Sequence, residues 1–114
     1  MKRCLIIFAF LLLASCIRQD QQDWLIGKWN LSSCTYVNFK TGETGTIRDA
    51  GFKSWEFTEK GTVIIDGYIV GDYWHRDGQI CVQSTIYDEV ANGRDRMTLD
   101  HKSLYAVTTY IFNR

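Results

Sequence analysis

The chain has 114 residues with 13 basic and 13 acidic side chains, so its formal net charge is zero. This balance excludes the strongly basic surface that is typical of nucleic-acid-binding proteins, and we expect no nucleic-acid partner. The length allows one domain with one modest hydrophobic core.

The N-terminal segment has the pattern of a secretory signal. Lys2 and Arg3 form a short positive region, residues 4–13 are an unbroken apolar run, and the run stops at the small residues Ala14 and Ser15. A transmembrane helix needs about 20 apolar residues, and this stretch is too short. We therefore expect residues 1–15 to be a signal peptide.

The end of that segment is more specific than an ordinary cleavage site. Residues 13–16 read Leu-Ala-Ser-Cys, which resembles the bacterial lipobox. The resemblance implies that Cys16 carries the lipid anchor, and two or more acyl chains on one residue hold a protein stably on a membrane. Residues 16–23 would then be the lipidated cysteine and a polar tether. Since Ile17 rather than aspartate follows the cysteine, a Gram-negative host would place the protein on the outer membrane, facing the periplasm.

Residues 24–114 have an all-β pattern. Short runs of β-branched and aromatic residues alternate with turn dipeptides such as Lys60-Gly61, Asp77-Gly78 and Asn92-Gly93, which favours antiparallel hairpins. The predicted architecture is a small up-and-down barrel, because closure removes exposed sheet edges. The eight predicted strands are 27–37, 44–50, 53–58, 62–68, 71–76, 79–86, 94–99 and 104–112, and residues 87–95 are predicted to be a polar loop.

Several motifs in this domain resemble those of small bacterial lipocalin-like lipoproteins. Gly27-Lys28-Trp29 resembles the G-x-W entry of lipocalins, and residues 55–63, 73–80 and 110–114 resemble later hairpins and the last strand. The resemblance covers residues 25–114. It implies that Gly27 lets the chain bend into the barrel, that Trp29 plugs its closed end, and that Arg114 lies against Trp29. A C-terminal helix and the second conserved loop motif of the family are missing.

Two cysteines remain in the exported domain, and their pairing is open. The oxidising compartment makes a disulfide between Cys34 and Cys81 the first expectation. The predicted register argues against it, because both side chains would point outward on the first and sixth strands, which are not neighbours. A bulge, a different strand count or free thiols would resolve the conflict.

The sequence offers little catalytic chemistry. Asp72 and His75 have a spacing that two metal ligands could use, yet residues three apart on a strand lie on opposite faces. His101 lies in a predicted turn, and Ser32, Ser33 and Cys34 lack the surroundings of a nucleophile. We therefore expect no enzymatic activity, no metal and no cofactor.

Two functions from different classes fit these expectations. The first is a membrane-anchored lipoprotein whose lipocalin-like domain binds a small apolar ligand, since an eight-stranded barrel is wide enough for side chains or for one small ligand. The alternative is an envelope protein–protein interaction module, such as a periplasmic inhibitor or an assembly accessory.

Overall fold

The computed structural model describes residues 24–114. The predicted signal helix (residues 1–15), the lipidated Cys16 and the tether (residues 16–23) lie outside the described residues. Within them the chain forms nine strands and no helix. The strands are β1 (Gly27–Asn38), β2 (Thr44–Thr46), β3 (Ser54–Phe57), β4 (Thr62–Ile65), β5 (Tyr68–Arg76), β6 (Gln79–Val82), β7 (Thr85–Asn92), β8 (Arg96–Lys102) and β9 (Ala106–Asn113).

Eight of these strands close into an antiparallel barrel. From β3 to β9 each strand pairs with the next, and β1 pairs with both β3 and β9. The predicted all-β, up-and-down barrel is therefore confirmed. The closed architecture is consistent with a lipocalin-like fold.

The ninth strand, β2, does not take a place of its own in the barrel wall. It pairs with residues 35–37 of β1, whereas β3 pairs with residues 27–30 on the same edge of that strand. Residues 47–53 connect β2 to β3 and are not part of the barrel wall. The predicted strand 44–50 is thus shorter than expected, and the second position in the barrel belongs to β3.

One hairpin was not predicted. The expected strand 79–86 is in fact two strands, β6 and β7, and the expected polar loop 87–95 is largely β7. The chain turns at Gln83 and Ser84, which both have positive φ (51° and 65°) although neither is glycine. The barrel reaches eight strands because this missed hairpin replaces the strand that β2 does not supply.

The core lies inside the barrel and consists of apolar side chains. Its two ends differ: the end at which β1 begins, near Trp29, is called the closed end, and the opposite end the open end. The fully buried side chains are Leu25, Trp29, Trp55, Phe57, Val63, Ile80, Val82, Met97, Leu99 and Phe112.

At the open end the sheet continues beyond the barrel. β3 begins at Ser54, opposite Asn30, whereas β1 goes on to Asn38 with β2 on one side and β9 on the other. Residues 35–38 of β1, together with β2 and residues 106–109 of β9, are called the wing. Gly45 leaves room there for the side chain of Tyr36, since a Cβ atom at position 45 would lie 2.7 Å from its ring.

Candidate functional site

The closed end is organised around Trp29, whose side chain is fully buried. Its indole Nε1 donates a hydrogen bond of 2.8 Å to the carbonyl of Leu25, which satisfies the one polar atom of the ring. The guanidinium carbon of Arg114 lies 4.1 Å from the ring centroid of Trp29, so the last residue of the described chain covers the first strand.

Arg114 also ties together the segments around it. Its Nη1 donates to the carbonyl of Ile26 at 2.9 Å, and its Nε donates to the carbonyl of Arg94 at 2.7 Å. Gly27 allows this approach: its φ is +126°, and a Cβ atom there would lie 3.3 Å from Nη1 of Arg114. The structure thus brings Gly27, Trp29 and Arg114 together at one end of the barrel.

A second contact group borders the same end. Trp24 packs edge-on against Trp29 and against His75, with ring centroids 6.2 and 5.3 Å apart. Nε2 of His75 is hydrogen-bonded to Glu89, and both side chains are about 90% buried. Nδ1 of His75 is buried without a partner, so no nucleophile is hydrogen-bonded to this ring nitrogen within residues 24–114.

The residues suggested by metal-ligand spacing do not converge. His75 faces the interior of the barrel, whereas Asp72 is exposed. Among the described residues no three His, Cys, Asp or Glu side chains form a cluster that could hold a metal ion.

The barrel interior is filled by aromatic rings. Phe52 comes from the loop over residues 47–53 rather than from a strand, and its ring lies against Trp55, Tyr110 and Phe112, with centroids 4.9, 5.7 and 6.1 Å apart. Tyr87 completes the group with an edge contact of 5.1 Å to Trp55. The loop therefore supplies a half-buried ring that packs against the core of the barrel.

Burial changes the pKa of two tyrosine hydroxyls in this group. It raises the pKa of Tyr87 to about 12, with smaller contributions from the neighbouring Tyr110 and Cys81, and raises the pKa of Tyr110. The Nε1 atom of Trp55 is buried without a hydrogen-bond partner, which is costly in a protein interior.

Cys34 and Cys81 are free thiols, and the expected disulfide is not formed. A bulge between Leu31 and Ser33 shifts the alternation of β1 by one residue, so Cys34 points into the barrel opposite Tyr110. Cys81 lies on β6, which is on the opposite wall. Burial raises the pKa of the Cys34 thiol, which makes it less reactive.

One cavity beside Cys34 and another beside His75 border the described barrel. The larger, about 320 Å³, lies between β1 and the 47–53 loop and is lined by serine hydroxyls and charged side chains as well as by Leu31, Cys34 and Phe52. The smaller, about 230 Å³, lies beside His75 and Tyr73 at the closed end. The lining of the larger cavity is too polar for a dedicated apolar ligand site.

Four large apolar side chains are exposed together at the tip of the wing. Leu104 is 87% exposed, Phe39 58%, Tyr105 57% and Val37 43%, and these four side chains are called the wing tip. No local sequence pattern indicates this feature, because exposure depends on which strands extend beyond the barrel. The β4–β5 hairpin carries two more exposed apolar side chains, Tyr68 and Ile69.

Comparisons with known proteins add no relative: no family model, no curated protein and no solved structure matches the chain. Within residues 24–114 there is no helix of sufficient length and hydrophobicity to cross a membrane.

Proposed function

We propose that the protein is a lipoprotein of the bacterial cell envelope, tethered through Cys16, whose lipocalin-like barrel acts through its outer surface as a protein-interaction module. The signal sequence and the lipobox-like residues 13–16 support the tether. One observation supports an interaction module over a carrier: the barrel interior is already filled by its own side chains.

The filling involves both ends of the chain and a loop. Trp29 and Arg114 close one end, and the half-buried ring of Phe52 covers the core against Trp55 and Tyr110. An apolar ligand in the lumen would have to displace at least one of these rings. A protein partner on the outer surface would displace none of them.

A small apolar ligand remains the second candidate, and two features favour it. Phe52 is carried by a loop, which can move more easily than a strand, and the Nε1 atom of Trp55 lacks an acceptor inside the barrel. A mostly apolar ligand with one oxygen atom could replace the Phe52 ring and provide that acceptor.

Two experiments test the proposal. Cys16→Ser should abolish labelling of the protein by radioactive palmitate and release it from the membrane fraction, and continued labelling would contradict the tether. Native mass spectrometry of the chain from Ile17 onward, which lacks the lipid-bearing cysteine, should show the mass of the polypeptide alone. A reproducible added mass that disappears on denaturation would favour the ligand-binding alternative instead.

A further inference from the structure

The wing tip is a compact apolar projection formed by two adjoining turns. The amide of Phe39 donates to the carbonyl of Tyr105 at 2.8 Å, so the β1–β2 and β8–β9 turns lie side by side. Val37 pairs with Val107 just below them, and Leu104 stands at the end with 87% of its surface exposed.

Lysines accompany these apolar side chains. The ammonium group of Lys40 lies 4.8 Å from the ring centroid of Tyr105, and Lys102 is exposed on the strand that leads into the turn. Glu43 is the one acidic residue of the two turns, and it lies near the hydroxyl of Tyr36 at 3.5 Å. Aromatic and leucine side chains with flanking lysines are typical of segments that lie in a membrane interface.

Most backbone amides of the two turns donate hydrogen bonds within the wing tip. Every amide from residue 38 to residue 43 donates to an acceptor within the turn or to Tyr105, and the Asn38 side chain accepts two of these hydrogen bonds. In the second turn, Ser103 Oγ accepts from the amides of Tyr105 and Ala106. Because unsatisfied amides are expensive to remove from water, this pattern lowers the cost of entering a lipid interface.

We propose that the wing tip inserts into the interface of a membrane that contains anionic lipids. Four side chains on a narrow projection are a small surface compared with the roughly 1,200 Å² or more of a stable protein interface. Insertion to about 5–10 Å needs only such a projection.

The inference goes beyond the proposed function and does not require it. If Cys16 is lipidated, residues 16–23 can span up to about 28 Å when extended. The domain could then lean over until the wing tip meets the same bilayer, and two attachment points would fix its orientation. Tyr68 and Ile69 on the β4–β5 hairpin would remain available to a protein partner.

A vesicle assay tests insertion independently of the lipid anchor. The chain from Ile17 onward keeps every described strand and the whole core, and its binding to vesicles of phosphatidylethanolamine and phosphatidylglycerol is measured by co-sedimentation. We expect Leu104→Asp to weaken binding by about tenfold or more, because one large apolar side chain contributes that order of affinity. The matched control is Tyr68→Asp, at a position that is 77% exposed on the β4–β5 hairpin, and it should leave binding unchanged.

The depth of the tip is measured in the full-length protein reconstituted in the same vesicles. A fluorophore attached at Leu104→Cys, in a Cys81→Ser background, should be quenched by brominated lipid chains, whereas one at Tyr68→Cys should not. No quenching at position 104, or equal loss of binding from the two aspartate variants, would overturn the proposal. Binding of the Ile17 chain together with failed palmitate labelling would contradict only the proposed tether. If the protein does not bind vesicles, and Leu104→Asp abolishes a cross-link to another protein, the wing tip binds a protein partner instead.

Discussion

Replacing Arg114 by alanine should destabilise the barrel more than its exposed position suggests. The guanidinium of Arg114 stacks on Trp29 and donates to the carbonyls of Ile26 and Arg94. It therefore holds the entry of β1, the β7–β8 connection and the end of β9 in one place. Arg114→Ala would remove all three contacts at once.

The expected loss of unfolding free energy is about 2 kcal/mol. An exposed cation–π contact contributes about 0.5–1 kcal/mol, and hydrogen bonds from a charged donor contribute up to about 1.5–3 kcal/mol each when they are buried. The two hydrogen bonds of Arg114 lie at the surface, so solvent reduces their share to roughly half a kcal/mol each or slightly more. For a domain of this size the loss corresponds to a decrease in Tm of roughly 8–16 °C.

Urea denaturation followed by tryptophan fluorescence measures this loss. Arg96→Ala is the matched control, because Arg96 is exposed at the start of β8, and it should change stability by no more than about 0.5 kcal/mol. Arg114→Lys retains the charge but lacks the planar donor geometry, so we expect it to recover only part of the loss. If Arg114→Ala lowers the unfolding free energy by no more than Arg96→Ala does, Arg114 does not help to close the barrel.

Three further predictions concern the interior. Phe52→Ala should lower the unfolding free energy by about 2–4 kcal/mol in urea denaturation, because it removes a ring that packs against the core. Phe39→Ala, at the exposed wing tip, should lower it little, and equal losses from the two variants would contradict the filled interior. Alkylation of the unfolded chain without reductant should modify both Cys34 and Cys81, and in the folded protein Cys81 should react faster. If neither cysteine reacts in the unfolded chain, the two form a disulfide. The raised pKa of Tyr87 means that the unfolded chain loses this proton first, so the unfolding free energy should fall as the pH rises from about 10 to about 12. Tyr87→Phe should make that fall smaller, and an unchanged pH profile would contradict the burial of the hydroxyl.

Local sequence signals were sufficient for most of the fold. Turns that contain glycine at positive φ, such as Gly61, Gly67 and Gly78, lie where the hairpins turn. The alternation of apolar residues identified the interior faces of β3, β4 and β6, because a strand with one buried face imposes a period of two. The contact of Arg114 with Trp29 at the closed end could also be predicted from the sequence, since the first and last strands of a closed barrel must be neighbours.

The misses share a physical cause, which is that they depend on long-range pairing. The turn at Gln83 and Ser84 carries no glycine, so only the pairing of β6 with β7 imposes its unusual φ values. Phe52 belongs to a loop and was not expected to fill the interior. Its position follows from the gap between β2 and β3, which no local pattern encodes.

The bulge in β1 accounts both for the corrected orientation of Cys34 and for the exposure of Val37 at the wing tip. Regular alternation from Trp29 and Leu31 would place Val37 inside the barrel and Cys34 outside it. Ser32 and Ser33 are small and polar, and such residues tolerate either face, so the sequence does not mark the shift. Closure with β9 imposes it: Leu31 pairs with Phe112 but Ser33 pairs with Ile111. One extra residue therefore buries the thiol of Cys34 and turns Val37 outward, and the apolar character of the wing tip depends partly on that same irregularity.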